Sequence, residues 1–211
     1  MKHLIIIGAR GFGREVYNLA INTKTYKSEF DIKGFLDDKS DALEGYQSYP
    51  PIISSVEEYF PQKNDVFICA LGDVNYKKKY VDIVSDKGGE FTTLIHRNVS
   101  IGQNTMIGKG CIICDGAIVS CDVRIGDFVT LNFHTFMGHD AVIGNFCQCN
   151  PYSSMAGFVR IGNFVTLNTG SIVIPKVEVE DHSIVGAGAV VLGKVKAGTT
   201  VFGNPARKIS L

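Results

Sequence analysis

From Ile95 to about Lys194 the apolar residues recur at every sixth position without a slip. The series runs Ile95, Ile101, Ile107, Ile113, Val119, Ile125, Leu131, Met137, Ile143, Cys149, Met155, Ile161, Leu167, Val173, Val179, Val185 and Val191. Two residues before each stands a small or β-branched side chain, as at Ala117, Thr135, Ala141, Cys147, Ser153 and Val165. One residue after often stands Gly or Asn, as at Gly126, Asn132, Gly144 and Asn168. Self-similarity at this period predicts a parallel β-helix of hexapeptides, each one short strand and one turn. Three hexapeptides close a triangular coil whose aliphatic residues stack inside, with small side chains beside them at the corners. The Gly or Asn is read here as the position with a backbone conformation that other residues enter at a cost. The stretch holds roughly five coils, enough for a solenoid that buries its core between repeats.

The pattern before this stretch is different. Residues 2–7 read as a buried strand, and a glycine-rich turn spans Gly8 to Gly13. A helix from about Gly11 to Ile21 places Val16, Leu19 and Ala20 on its apolar side. A second strand covers roughly Ile32 to Leu36. A polar loop with Pro50-Pro51 precedes a short helix near Val56 to Tyr59. The third strand runs from Val66 to Ala70, a lysine-rich amphipathic helix from Asn75 to Lys87, and a further strand from Phe91 to Ile95. Strands alternating with helices imply a small parallel sheet of the doubly wound, Rossmann-like type. The expected organisation is therefore an α/β domain over residues 1–92 and a β-helix over 93–211 with a C-terminal tail.

Composition narrows the function classes. The 211 residues are 45% hydrophobic, which describes a well-cored protein rather than a disordered one. The 21 basic residues balance the 21 acidic ones, so no charge field favours nucleic acid or an anionic membrane. Met-Lys-His and four aliphatic residues before Gly8 are too short for a signal-peptide core or a membrane span, and a cytoplasmic protein is expected. The six cysteines include Cys111-x-x-Cys114 and Cys147-x-Cys149. The hexapeptide register puts Cys111 and Cys147 on the small inward position, Cys149 on the aliphatic position and Cys114 on the turn. Packing accounts for them better than metal or disulfide chemistry.

Two places carry candidate chemistry. Gly8-Ala9-Arg10-Gly11-Phe12-Gly13 follows a strand and opens a helix, where backbone amides can approach a phosphate. Its order is not G-x-G-x-x-G, so a dinucleotide is disfavoured, and a tight structural turn is the alternative. Asp37 and Asp38 end the second strand, on the carboxyl edge where α/β ligands sit. They suit a ribose hydroxyl or a base edge, or a solvated turn. In the solenoid, His139 occupies neither inward position, so its ring should point out of the prism. An imidazole there can deprotonate an attacking amine or hydroxyl, with Asp140 fixing its tautomer.

Taken together, Ile-Ile-Ile-Gly8-x-x-Gly11-x-Gly13-Arg14-Glu15-Val16, Phe35-Leu36-Asp37-Asp38, His139-Asp140-x-Val-Ile-Gly144, Ala156-Gly157 and Val201-Phe202-Gly203-Asn204-Pro205-Ala206-Arg207 resemble the hexapeptide sugar acyltransferases. That family includes UDP-4-amino-sugar N-acetyltransferases of bacillosamine-type pathways and sialic acid O-acetyltransferase relatives. The resemblance spans essentially the whole chain. It implies a left-handed β-helix, against the usual right-handed crossover, assembled as a homotrimer with acetyl-CoA lying between adjacent helices. By the same resemblance His139 is the general base and Asp140 its acidic partner. The Gly157 amide polarises the thioester carbonyl. Gly186, Ala187, Asn204, Pro205 and Arg207 line CoA, and Gly8, Gly11, Gly13, Asp37 and Asp38 lie at the nucleotide-sugar site. The implied reaction is direct acetyl transfer to the amino group of a nucleotide-linked 4-amino sugar, with a sialic-acid-type hydroxyl as the alternative acceptor.

One departure from the family pattern stands at Gln148, where several relatives carry a second His. An amide there can donate a hydrogen bond but not titrate, and His134 is a further imidazole near the site. Around His139 the candidate cavity walls are Phe133, Phe136, Tyr152 and Phe158. Two rivals come from other classes. A γ-carbonic-anhydrase-like enzyme would use His134 and His139 at their five-residue spacing as zinc ligands. The third ligand would fall about two coils earlier, where Asn98 stands and His96 is off register, so no metal is expected. A non-catalytic sugar-nucleotide sensor would keep the fold without the chemistry.

Overall fold

The computed structural model describes residues 1–209, which divide into two compact units, Met1–Arg97 and the residues from Asn98 onward. In the first unit, β1 (Lys2–Ile7) leads through the glycine turn into α1 (Gly11–Ile21), then β2 (Phe30–Leu36), β3 (Ile52–Ser54), β4 (Asp65–Cys69), α2 (Val74–Asp86) and β5 (Glu90–Phe91). The five strands lie in the order β3-β2-β1-β4-β5, all parallel. Central strands of a parallel sheet are covered on both faces and read as continuous apolar runs. β1 obeys this rule: Leu4, Ile5, Ile6 and Ile7 are all buried. α1 buries Gly13, Val16, Leu19 and Ala20. α2 starts where the Asp73 carboxylate accepts hydrogen bonds from the amides of Asn75 and Tyr76, at 2.9 Å each.

Three local expectations fail here, the first being the single strand from Phe91 to Ile95, which is two short strands, Glu90–Phe91 and Leu94–Ile95. The segment at 56–58 is a turn and not a helix, and the proline-flanked loop contains the strand β3. β3 is an edge of three residues, too short to show an alternating pattern. What recruits it is backbone: the Phe35 amide donates to the Pro51 carbonyl at 2.9 Å.

The second unit is a left-handed parallel β-helix. Its strands are two residues long, and each pairs with the strand eighteen residues further on, as Ile118–Val119 does with Phe136–Met137. One face carries six strands, from Ser100–Ile101 to Val190–Val191, and a second carries five, from Met106–Ile107 to Glu178–Val179. The third runs from Ile112–Ile113 through Thr130–Leu131, Gln148–Cys149, Thr166–Leu167 and Ile184–Val185 to Thr200–Phe202. There the chain reverses, and Arg207–Ile209 closes the face antiparallel.

Both inward positions pack as the period predicts: Ala117, Val119, Val123, Val129, Leu131, Met137, Ala141 and Ile143 are buried. The exceptions are at the start, where Ile101 is 40% exposed and Val99, Thr105 and Ile107 are half-buried. Cys111, Cys147 and Cys149 are buried, and Cys114 is buried too rather than set on an open turn.

The turn chemistry needs one correction. The left-handed residue is not the Gly or Asn after the aliphatic position but the residue two further on: Phe128 (φ 58°), His134 (56°), Asp140 (59°), Phe146 (56°), Tyr152 (60°), Phe158 (62°) and Phe164 (55°). The Gly after the aliphatic residue is required by space instead. A Cβ on Gly144 would stand 2.7 Å from the Gly162 carbonyl oxygen of the next coil.

Because coils stack in register, corner side chains form columns. Phe128, Phe146, Phe164 and His182 stack face to face at centroid distances of 4.8, 5.2 and 4.8 Å. Beside them runs a ladder in which the amides of Lys109, Asp127, Asn145 and Asn163 each donate to the side-chain oxygen of the residue eighteen further on. At its end the Asn163 amide holds the Asp181 carboxyl below its ordinary range. These repeated bonds satisfy turn amides that the short strands leave unpaired.

Candidate active site

The His139 turn joins the six-stranded face to the five-stranded one, between Phe136–Met137 and Val142–Ile143. As expected for a residue outside the inward register, the imidazole points outward, with its side chain 55% exposed. Its Nδ1 lies 2.9 Å from Oδ2 of Asp140. A carboxylate can only accept, so this bond places the proton on Nδ1 and leaves the Nε2 lone pair facing outward. Gly157 occupies the same corner one coil on. A Cβ there would be 2.7 Å from Nε2 and 2.8 Å from Cε1 of His139, so only glycine lets the two meet. Phe158 stands next to it, its ring perpendicular to the imidazole at 5.1 Å. His139, Asp140 and Gly157 thus form one cluster.

Gly186 and Ala187 form another, at the corner between the third face and the six-stranded one. The Gly186 amide donates to the Val201 carbonyl at 2.8 Å, and the tail folds back so that the Ala206 amide donates to the Val190 carbonyl at 2.8 Å. Asn204, Pro205 and Arg207 are exposed along it, and the Asn204–Pro205 bond is cis. A single chain therefore puts the His139 group and the Gly186 group at different corners of the triangle.

The other residues singled out near the site lie away from the His139 corner. His134 stacks on Tyr152, centroids 5.1 Å apart, on the turn before the His139 turn. Gln148 is buried, and its Nε2 donates to Asn150 Oδ1 at 3.0 Å. Asn150 in turn donates to Asn168 at 3.1 Å, an amide ladder that the hexapeptide pattern had not marked as a unit. Among the described residues, no three His, Cys, Asp or Glu side chains are grouped so as to hold a metal ion.

In the first unit, a cleft of about 540 Å³ opens at the carboxyl ends of β1, β2 and β4, lined by Gly8, Arg10, Phe12, Gly13, Asp37 and Asp38 together with Tyr76 and Tyr80. This is where strand order reverses in a doubly wound sheet. Gly8 adopts φ +95° and Gly13 approaches it so closely that a Cβ would stand 1.9 Å from the Gly8 carbonyl oxygen. Gly11 by contrast borders open space. Asp37 is largely spent on the loop itself: its carboxylate accepts from the amides of Ala9 and Lys39, at 2.9 Å each. Asp38 faces the cleft and accepts a short hydrogen bond from the Tyr80 hydroxyl. That bond, and then burial, push the Tyr80 phenol well above its ordinary range. Tyr76 and Tyr80, on α2, were not marked by the sequence pattern, since aromatic residues on a polar helix face carry no motif.

Residues 3–84 match the PglD N-terminal domain family. The UDP-N-acetylbacillosamine N-acetyltransferase of Bacillus subtilis (strain 168) is 30% identical over 117 residues, 54% of this chain and 51% of that protein. The GDP-perosamine N-acetyltransferase of Escherichia coli O157:H7 is 28% identical over 138 residues, 64% of this chain and 62% of that protein. The acetyltransferase domain of PglB from Neisseria gonorrhoeae FA1090, solved in complex with acetyl coenzyme A, superposes with a TM-score of 0.89 at 26% identity. That match covers 99% of both chains. The N-terminal residues thus match the PglD N-terminal domain, and the chain is similar to sugar N-acetyltransferases. The chain spans about half to three fifths of the length of the two curated relatives. Among the described residues, no helix is long and apolar enough to cross a membrane.

Proposed function

We propose that the protein transfers an acetyl group from acetyl-CoA to the amino group of a nucleotide-linked 4-amino sugar, in the cytoplasm and as a homotrimer. The observation that carries this reading is the His139–Asp140–Gly157 cluster: a half-exposed imidazole, a carboxylate on Nδ1, and a backbone turn pressed against Nε2. The amine attacks the thioester carbonyl as Nε2 of His139 takes its proton. The N–C bond forms, and the developing oxyanion receives a hydrogen bond from the Gly157 amide. The C–S bond then breaks, and the proton passes from His139 to the departing CoA thiolate. No acyl-enzyme is involved. Asp140 holds the imidazole in one tautomer and offsets the positive charge it gains.

Gly186, Ala187, Asn204, Pro205 and Arg207 line CoA in this reading. Because they sit at another corner from His139, one coenzyme touches both groups most simply when it lies between two chains, which favours the trimer with shared sites. Residues 1–92 bind the nucleotide sugar in the cleft of Gly8, Gly13, Asp37 and Asp38, with Gly11 on the turn beside it, and residues 93–211 carry out the transfer. The relatives named as N-acetyltransferases of UDP- and GDP-linked sugars, and the acetyl coenzyme A complex, support donor and acceptor class. The test is thiol release from acetyl-CoA with a panel of UDP-, dTDP- and GDP-4-amino sugars and free sialic acid. Turnover with one amino-sugar nucleotide, lowered by roughly 10²–10⁴ in His139→Ala, is expected. Turnover with sialic acid alone would overturn the N-acetyl assignment.

A further inference from the structure

Of the four aromatic side chains near His139 in the sequence, the structure distinguishes one. Tyr152 stacks on His134 at the neighbouring turn, and its amide donates to the Phe133 carbonyl at 3.0 Å. Phe136 lies on the strand before the turn, 40% exposed. Phe158 packs on the imidazole itself, ring centroids 5.1 Å apart and planes at 90°. It stands eighteen residues after Asp140 in the same left-handed corner position, φ 62° against 59°. Its amide donates to the His139 carbonyl at 2.9 Å, so backbone and ring grip the same residue. The ring is nonetheless 48% exposed, far more than the fully buried side chains of the prism core.

We propose that Phe158 is a positioning residue of the acyl-transfer site, holding the His139 ring plane so that Nε2 faces the substrates. The inference rests on the function proposed above and names a residue which that mechanism does not use. Its physical basis is geometric. One hydrogen bond at Nδ1 fixes the distance to Asp140 but leaves the imidazole free to tilt about that contact. The turn at Gly157 blocks movement on one side only, through the backbone beside Nε2 and Cε1. A perpendicular aromatic contact supplies the missing restraint, since edge-to-face pairs have a preferred mutual orientation. Preorganisation of a base within a fraction of an ångström is what such a restraint contributes to rate. The half-exposed position also screens one side of the ring from water.

The full chain serves for the test, with melting curves to verify that each variant folds. Nitrogen NMR of the His139 ring in the wild type is expected to report one tautomer, protonated on Nδ1. Phe158→Ala is expected to mix the tautomers or broaden the ring signals, a readout that needs no turnover. In the thiol-release assay the same variant lowers kcat about tenfold with KM for acetyl-CoA unchanged, and Phe158→Tyr restores most of the rate. In a His139→Ala background, Phe158→Ala leaves the residual rate as it was. An unaltered His139 tautomer in Phe158→Ala, or a further loss of rate in the His139→Ala background, overturns the proposal. A wild-type protein inactive on every acceptor, yet showing the tautomer change, would instead overturn the acyl-transfer reading and leave the positioning role standing.

Discussion

A methyl group on Gly157 would stand 2.7 Å from Nε2 of His139, nearer than any real side-chain carbon approaches a ring nitrogen. The contact joins two residues eighteen apart in sequence, and it makes the space over the base a property of two successive coils. Gly157→Ala is therefore expected to displace the imidazole, breaking its alignment with Asp140. The variant should fold, since Gly157 lies at a corner outside the prism core. In the thiol-release assay its kcat should fall by about a hundredfold, as expected when a catalytic group is misplaced by about 1 Å.

Asp140→Asn should cost turnover without costing stability. An amide can either accept from Nδ1 or turn its NH2 toward it, so the tautomer is no longer imposed. A loss of roughly 10²–10⁴ in kcat is expected, the range of general-base catalysis. Steady-state kinetics with saturating acetyl-CoA measure it, and a rate within twofold of wild type would remove Asp140 from the mechanism.

Asp37→Ala should loosen the glycine turn. It removes the acceptor of the Ala9 and Lys39 amides at once. A cost of about 1–3 kcal/mol in stability is expected from amides left unpaired, readable by urea denaturation. The same variant should bind the nucleotide sugar more weakly in calorimetry, while the dissociation constant for CoA stays unchanged.

A pH effect is expected from Asp65, whose side chain is fully buried. It accepts from Lys33 Nζ at 2.9 Å, from the Tyr59 hydroxyl at 2.7 Å and from the Gln62 amide at 2.8 Å. Burial alone would raise its carboxyl; the bond from Tyr59, then those from Gln62 and Lys33, outweigh it and hold the pKa below the ordinary value. A depressed pKa contributes stability that is complete above the unfolded value, near 3.8, and is lost as pH falls through the folded one. Melting temperatures should decline more steeply below about pH 4 in the wild type than in Asp65→Asn.

The hexapeptide period made the core legible because the inward positions of a solenoid repeat the same environment at every turn. Val119, Leu131 and Met137 could be placed from spacing alone, and His139 could be placed outside by elimination. What spacing could not show was which outward residues meet across coils. Phe158 next to His139, nineteen residues apart, and Asn150 next to Asn168, eighteen apart, are pairs whose side chains reveal no common pattern. In the first unit the long buried strand β1 was plain, whereas β3 hid behind Pro50 and Pro51, because three edge residues gain their place from one neighbouring strand and not from their own sequence. The turn at 56–58 was misread for a related reason: a few polar residues fit a helical turn as well as an isolated one.

The eighteen-residue coil also gives the molecule an address system. A side chain's place is specified by a coil number and a corner, and the two vary independently. Loss of one residue between His139 and Gly157 would shift every later position by one step and separate base from turn, whereas loss of eighteen residues ahead of Gly138 would shorten the prism by a storey and leave that pairing intact. Variation by whole storeys can thus alter the length of the prism while the chemistry at one corner stays where it is.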